Sequence, residues 1–189
     1  MTYDFYLANF NRNSLDNNGI LLNSYVNRGG FLYSNNASWD GTNMNYGKRS
    51  GTTDGVTAID VTGHELTHGF TQYTSGLNYS GESGGMNESM SDIMGKSVQF
   101  WAKPNDKNWV LSNDMNWAIR DMSNPNAFKQ PDCYGGLYWT SNADVHILSG
   151  VGNFMFYLLV DGGAGTNDIG NTYNVQGLGL SKADQIIYL

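Results

Sequence analysis

The sequence predicts an α+β chain: a small β-rich lobe first, a mainly helical lobe after it, and a helix bearing a histidine pair between the two. Three observations carry this. Short aromatic and β-branched segments bounded by Gly and Asn crowd into residues 20–46, the composition of brief strands separated by turns. Helix-length segments follow at 57–73, 87–102 and 145–160, the first with Ile59, Leu66 and Phe70 as its buried side. No internal repeat or low-complexity linker interrupts the 189 residues, a length that buries a core in one or two lobes.

Taken from the front, Tyr3, Tyr6, Leu7 and Phe10 stand at helical spacing and read as the tail of a longer helix. Asn11-Arg12-Asn13-Ser14 and Asp16-Asn17-Asn18-Gly19 are turn chemistry. Segments near 20–26, 31–34 and 44–46 read as strands of a small antiparallel sheet. The segment over 57–73 reads as the helix that carries the histidine pair. Gly81-Glu82-Ser83-Gly84-Gly85 is a breaker run, so the next helix is expected from Asn87 to about Ala102. Residues 103–140 are irregular and rich in Asn and Trp. The apolar stretch 145–160 falls short of the roughly 20 residues a membrane span needs and reads as a buried core helix. Leu180-Ser181-Lys182-Ala183-Asp184-Gln185-Ile186-Ile187-Tyr188-Leu189 opens like a capping box and runs on apolar. A helix tail in front and a helix cut off behind lead to the expectation of a fragment truncated at both ends.

Charge and composition exclude some classes of partner. Ten Lys and Arg against 17 Asp and Glu give a net charge of −7, and no basic cluster offers a stripe for phosphates, so nucleic acid is not expected. No apolar run is long enough to span a membrane, and no signal peptide leads the chain. Cys133 is the single cysteine, which rules out an internal disulfide and leaves its role open. With 24 Gly and 3 Pro the unfolded chain keeps its entropy, and modest thermal stability is expected.

The chemistry centres on His64-Glu65-Leu66-Thr67-His68. Residues four apart share a helix face, so His64 and His68 can aim at one ion about 2.1 Å away. Glu88, 88 − 64 = 24 residues on, is the candidate third ligand, since that interval allows a helix, a turn and a second helix. Asp92, four beyond Glu88, would share its face and hold a histidine by its second nitrogen. Glu65, beside the ligands and not among them, is the natural general base for a water at the open position.

These residues also carry a resemblance. His64-Glu65-Leu66-Thr67-His68, Tyr73-Thr74-Ser75-Gly76-Leu77-Asn78-Tyr79, Ser83-Gly84-Gly85-Met86-Asn87-Glu88 and Asp144-Val145-His146 together resemble the thermolysin-like zinc metallopeptidases, the vibriolysin and pseudolysin branch in particular, from Tyr3 to about Ala183. The resemblance implies a two-lobe fold: a partial β-rich lobe over 1–58, a central zinc helix over 59–74 and an incomplete helical lobe over 75–189. It implies a secreted zinc endopeptidase that acts on proteins and peptides, cleaves on the N-terminal side of bulky hydrophobic residues and takes its own propeptide as an inhibitor. A monomer is expected.

By the same resemblance Tyr79 and His146 would donate hydrogen bonds to the oxyanion, with Asp144 orienting His146. Arg120 would bind the substrate carbonyl beyond the scissile bond, and Asn36 and Ala37 would offer amide and carbonyl groups to the peptide backbone. Val61, Leu111 and Ile119 would line the pocket, and Asn87 would steady His68. Lys48-Arg49-Ser50-Gly51-Thr52-Thr53-Asp54-Gly55-Val56 departs from the family, whose loop here is acidic and then bulky, so a more open pocket wall is expected. Calcium is left open: relatives hold it with carboxylates like Asp60 and Asp114 and acids on the third-ligand helix, where this chain has Lys96 and Gln99. Otherwise Asp60 caps or buttresses the first helix.

Two other readings stand beside this one. A zinc-binding fragment of such a protease, folded but with little or no activity, fits a truncated chain. A serine hydrolase could use Ser83, because Gly81-Glu82-Ser83-Gly84-Gly85 fits Gly-x-Ser-x-Gly; a nucleophile elbow, however, follows a strand, and a helix is expected here.

Overall fold

The computed structural model describes residues 1–52 and 54–188. Thr53 of the basic loop and Leu189 of the last apolar run lie outside the described residues. The chain opens with α1 (Thr2–Phe10). Its buried side is Phe5 and Tyr6, while Tyr3 and Leu7 of the expected stripe face solvent. Tyr6 stacks on Phe70 at 5.2 Å and its hydroxyl meets Thr67 Oγ1 at 2.9 Å, which docks α1 on the helix that follows the sheet.

Three short strands follow, β1 (Ser24–Arg28), β2 (Ala37–Trp39) and β3 (Met44–Gly47). They lie in the order β1-β3-β2, with β2 antiparallel and β1 parallel to β3. The sheet is therefore mixed, against the antiparallel expectation. Asp40 Oδ1 accepts the amides of Thr42 and Asn43 and closes the β2–β3 hairpin. β1 takes the open edge of β3. Residues 31–33 form a 3₁₀ turn instead of a strand. Gly30 (φ 100°) and Asn35 (φ 55°) bend the chain on either side of it, and Phe31, 96% exposed, finds no sheet face to pack on.

The helical part is built on two crossing helices, α2 (Ile59–Gln72) and α3 (Gly81–Ala102). They touch through glycines: a Cβ at Gly63 would stand 2.9 Å from Gly95 Cα. α3 starts six residues earlier than expected, since the run read as a breaker is its first turn. There too glycine serves close approach, because a Cβ at Gly84 or Gly85 would collide with Val145 or Leu148 at 2.4 and 2.6 Å. Tertiary contact overrides the weak local preference.

The irregular stretch pairs β4 (Val110–Leu111) with β5 (Arg120–Asp121). The apolar segment is helical in two pieces, α4 (Val145–Leu148) and α5 (Gly150–Asp161), and a hairpin of β6 (Gly163–Thr166) and β7 (Thr172–Val175) leads to α6 (Leu180–Tyr188). The expected capping box does not form. Asp184 turns inward and accepts from Ser97 Oγ at 2.6 Å. The core runs between the helices, with Ile93, Met94, Val98, Phe100, Trp109, Leu111, Phe156 and Ala183 all buried. No helix of the described residues is long and apolar enough to cross a membrane.

Candidate active site

α2 presents His64 and His68 one turn apart, with their Nε2 atoms 3.0 Å from each other. Their outer nitrogens are committed. His64 Nδ1 lies 2.8 Å from Asp92 Oδ1, and His68 Nδ1 lies 2.6 Å from Asn87 Oδ1 and 3.1 Å from Ser91 Oγ. A carboxylate can only accept, and Asn87 Nδ2 is engaged with the Leu77 carbonyl, so both Nδ1 atoms donate. With both Nδ1 atoms donating outward, the two Nε2 atoms face each other across 3.0 Å, where only a shared proton or a metal ion relieves the repulsion of their lone pairs. That arrangement calls for a cation.

The third donor comes from α3. Glu88 is 0% exposed, its Oε1 lies 3.3 Å from His68 Nε2 and its Oε2 lies 3.5 Å from His64 Nε2. Oε2 is buried with no hydrogen-bond partner, while Oε1 accepts from Tyr79. Ligands bound tetrahedrally at about 2.1 Å stand about 3.4 Å apart. The separations here, 3.0 Å between the imidazoles and 3.3 and 3.5 Å from them to the two oxygens of Glu88, lie near that spacing, and two imidazoles with one carboxylate are the donor set zinc takes in catalytic sites. Zinc fits.

The electrostatics agree. Burial pulls the His64 pKa down, but Glu88, Asp92 and Glu65 outweigh it and push it up to about 9. Burial raises Glu88, yet the two histidines bring it down to about 2. Asp92, wholly buried, receives Arg120 Nε at 2.8 Å, Arg120 Nη2 at 2.7 Å and Asn153 Nδ2 at 2.7 Å besides His64. Burial works against its charge, and the arginine and histidine hold it far below the usual carboxylate range. The centre is a pocket of negative potential kept ionised by built-in partners.

Glu65 lies at the same point: one atom each of His64, Glu65 and His68 fall within 4.8 Å of one another, close enough to face a common ion. Its Oε2 accepts the Trp39 amide at 3.0 Å, so β2 holds it in place. Opposite, His146 Nε2 stands 3.4 Å from the Tyr79 hydroxyl and 3.4 Å from Glu88 Oε1. Asp144, the N-cap of α4, accepts from both the amide and Nδ1 of His146, at 2.9 and 2.7 Å, which leaves Nε2 turned to the centre. Burial, and then the charge of Glu88, raises the Tyr79 phenol and keeps it protonated.

These groups line one cavity of about 770 Å³, together with Asn36, Ala37, Val61, Leu111, Ile119 and Arg120. Val56, at the end of the basic loop, and Trp117 complete its apolar wall. Two expectations change. The Asn36 carbonyl accepts from Gly47 within the sheet and is not free for a peptide; alternation along β2 puts Ala37 on the outer edge, as the outward Trp39 amide shows. Arg120 has its Nε and one terminal nitrogen committed to Asp92 before any substrate arrives.

Sequence reasoning passed over Trp39, Asn153, Ser91 and Trp117. The Trp39 contact is made by a backbone amide, which leaves no mark on the sequence. Ser83 lies in the first turn of α3 after a turn at Asn78–Ser80, with no strand before it, so the elbow reading fails. A divalent cation does not fit the positions the calcium comparison pointed to, since Lys96 Nζ sits among their oxygens and Asp114 pairs with Lys103 at 2.8 Å.

Comparison with known proteins places this geometry. Residues 1–72 match the family model of the thermolysin metallopeptidase catalytic domain, and residues 75–189 match that of the thermolysin metallopeptidase alpha-helical domain. Bacillolysin from Bacillus cereus is 41% identical over 200 residues, covering 99% of this chain and 33% of that protein. Thermolysin from Alicyclobacillus acidocaldarius is 39% identical over 198 residues, covering 100% of this chain and 35% of its own. The solved structure of the precursor of protealysin, a metalloproteinase from Serratia proteamaculans, is similar with a TM-score of 0.71 at 33% identity, over 84% of this chain and 55% of that one. The chain spans about a third of the length of the curated relatives it matches.

Proposed function

Since the chain belongs to the thermolysin metallopeptidase family, we propose that it carries the centre of a zinc endopeptidase, with His64, His68 and Glu88 holding the metal and Glu65 acting as general base. The observation behind this is the convergence of two imidazole lone pairs and an unpartnered buried carboxylate oxygen at 3.0 to 3.5 Å. Bound there, zinc would supply a Lewis acid for the scissile carbonyl and bring the pKa of a water down to about 7.

The remaining chemistry belongs to side chains of this chain. Glu65 takes the proton of the attacking water and passes it to the leaving amine, its carboxyl fixed by the Trp39 amide. Tyr79 donates to the oxyanion from the other side, and His146 does so from Nε2 as the doubly protonated ring, its Nδ1–H held and its tilt set by Asp144. The outer edge of β2 at Ala37 pairs with the peptide as an added strand. Asp92 and Asn87 orient the two histidines, and Arg120 both secures Asp92 and faces the cleft. The wall of Val56, Val61, Leu111, Trp117 and Ile119 favours a bulky apolar side chain just after the scissile bond. On this reading the protein acts on secreted-enzyme substrates, proteins and peptides, outside the cell.

Glu65→Gln tests it. The variant is expected to keep one zinc per chain, measured by metal analysis, and to lose about 10²–10⁴-fold in hydrolysis of a quenched peptide; undiminished cleavage would refute the role. A parent chain that loads zinc and cleaves nothing would instead support the inactive, zinc-binding fragment.

A further inference from the structure

Lys96, in the middle of α3, is 0% exposed. An ammonium in such a place must find oxygens to replace its water, and it finds them on three separate elements. Nζ lies 3.3 Å from Asp60 Oδ2 on α2, 2.5 Å from Gln99 Oε1 on α3 and 2.7 Å from the Val110 carbonyl of β4. The same Asp60 oxygen accepts the Ser112 amide at 2.8 Å. Burial lowers the lysine pKa, and Asp60 works to restore the charge.

A carboxylate, an amide oxygen and a backbone carbonyl around one positive charge are the ligand chemistry of a hard cation. Here the cation is attached to the chain, and one carboxylate balances one ammonium. A calcium ion would find a single anionic oxygen where it seeks six to eight oxygens in all, and would meet the ammonium head-on. The junction also reaches the cleft. Val110 continues into Leu111, whose carbonyl accepts the Ile119 amide at 3.2 Å and which pairs across the strands with Arg120, and all three line the cavity.

We propose that Lys96 replaces a structural divalent cation at this junction, tying α2, α3 and β4 together and holding the Leu111–Arg120 wall of the cleft without calcium. This stands apart from the catalytic assignment, and its main test needs no turnover. Calcium is titrated by calorimetry into zinc-saturated parent and into the double variant Lys96→Glu with Gln99→Glu, and thermal unfolding is followed with and without calcium. The double variant should bind one more calcium than the parent. Its unfolding midpoint should rise by about 5–10 °C at 100 times the dissociation constant, while the parent responds at least several-fold less. Equal uptake and equal shifts in the two proteins would overturn the proposal.

Should the double variant not fold even in calcium, Lys96→Met carries the test. It keeps the bulk, removes the charge and strands Asp60. It should lower the midpoint by several degrees with no recovery on adding calcium, and raise KM for a peptide more than it lowers kcat. An unchanged midpoint and KM would overturn the proposal equally.

Discussion

Gly95→Ala should disable the metal site from a position that carries no functional group. The added Cβ would stand 2.5 Å from the Asp60 carbonyl oxygen and 3.0 Å from His64 N. Both belong to the backbone of α2 and cannot rotate aside. Ordinary contact begins near 3.4 Å, so the two helices must part by about 3.4 − 2.5 = 0.9 Å. Helix preference favours alanine by about 1 kcal/mol, and overpacking costs about 1–3 kcal/mol. The net loss of stability is thus small, about 0–2 kcal/mol. The loss of metal affinity is not. His64 and His68 ride on α2, Glu88 and Asp92 on α3, and 0.9 Å is close to half of a zinc–ligand bond of about 2.1 Å. Zinc affinity should fall by at least about 100-fold, since weakening even the partners of ligands costs about 10–100-fold. Titration against a competing chromophoric chelator measures this, and circular dichroism on heating shows that the fold persists. A variant that binds zinc within about threefold of the parent and cleaves peptide at a similar rate would refute the idea that this glycine contact sets the donor spacing.

Three further substitutions probe other parts of the argument. His146→Phe should lower kcat by about 10²–10³-fold with zinc content unchanged by metal analysis, because His146 faces the centre without joining the donor triangle; lost zinc would contradict that separation. Arg120→Lys exchanges a planar fork for a point charge and leaves Asp92 with one fewer bond, so zinc affinity should fall about tenfold and KM should rise, read by chelator competition and steady-state kinetics. Asp184 concerns stability: burial raises its pKa from 3.8 to about 6, against the Ser97 hydrogen bond. The folded protein therefore holds this proton more tightly than the unfolded chain, and that contribution, up to about 3 kcal/mol, is full below pH 3.8 and is lost as pH rises through 6. Denaturant unfolding of the parent and Asp184→Asn across pH 4–7 should show the stability difference growing in the variant's favour with pH, and parallel curves would count against it.

What the sequence made legible follows from how each contact is built. His64 and His68 were visible because a helix repeats within one turn, and Glu88 because the interval to it admits one plausible pair of helices. Asp144 sits two residues from His146, so its contact is local as well. Contacts made by backbone or by partners far along the chain were invisible: the Trp39 amide on Glu65 has no side-chain signature, and Asn153 reaches Asp92 across 61 residues. The parallel pairing of β1 with β3 was missed for the same reason, since neighbouring strands read most simply as a meander.

The glycines were the hardest to read, and they matter most for the site. A glycine run has the same local preference whether it ends a helix or lets another helix press against it. The run at the start of α3 was read as the former and proves to be the latter. Gly63 and Gly95 give no local sign at all of the seam they form. Spacing along one helix is fixed by the helix itself, but spacing between helices is fixed by what their side chains keep apart. The imidazole pair could therefore be placed from sequence, whereas the distance from that pair to Glu88 depends on two residues whose contribution is the side chain they lack.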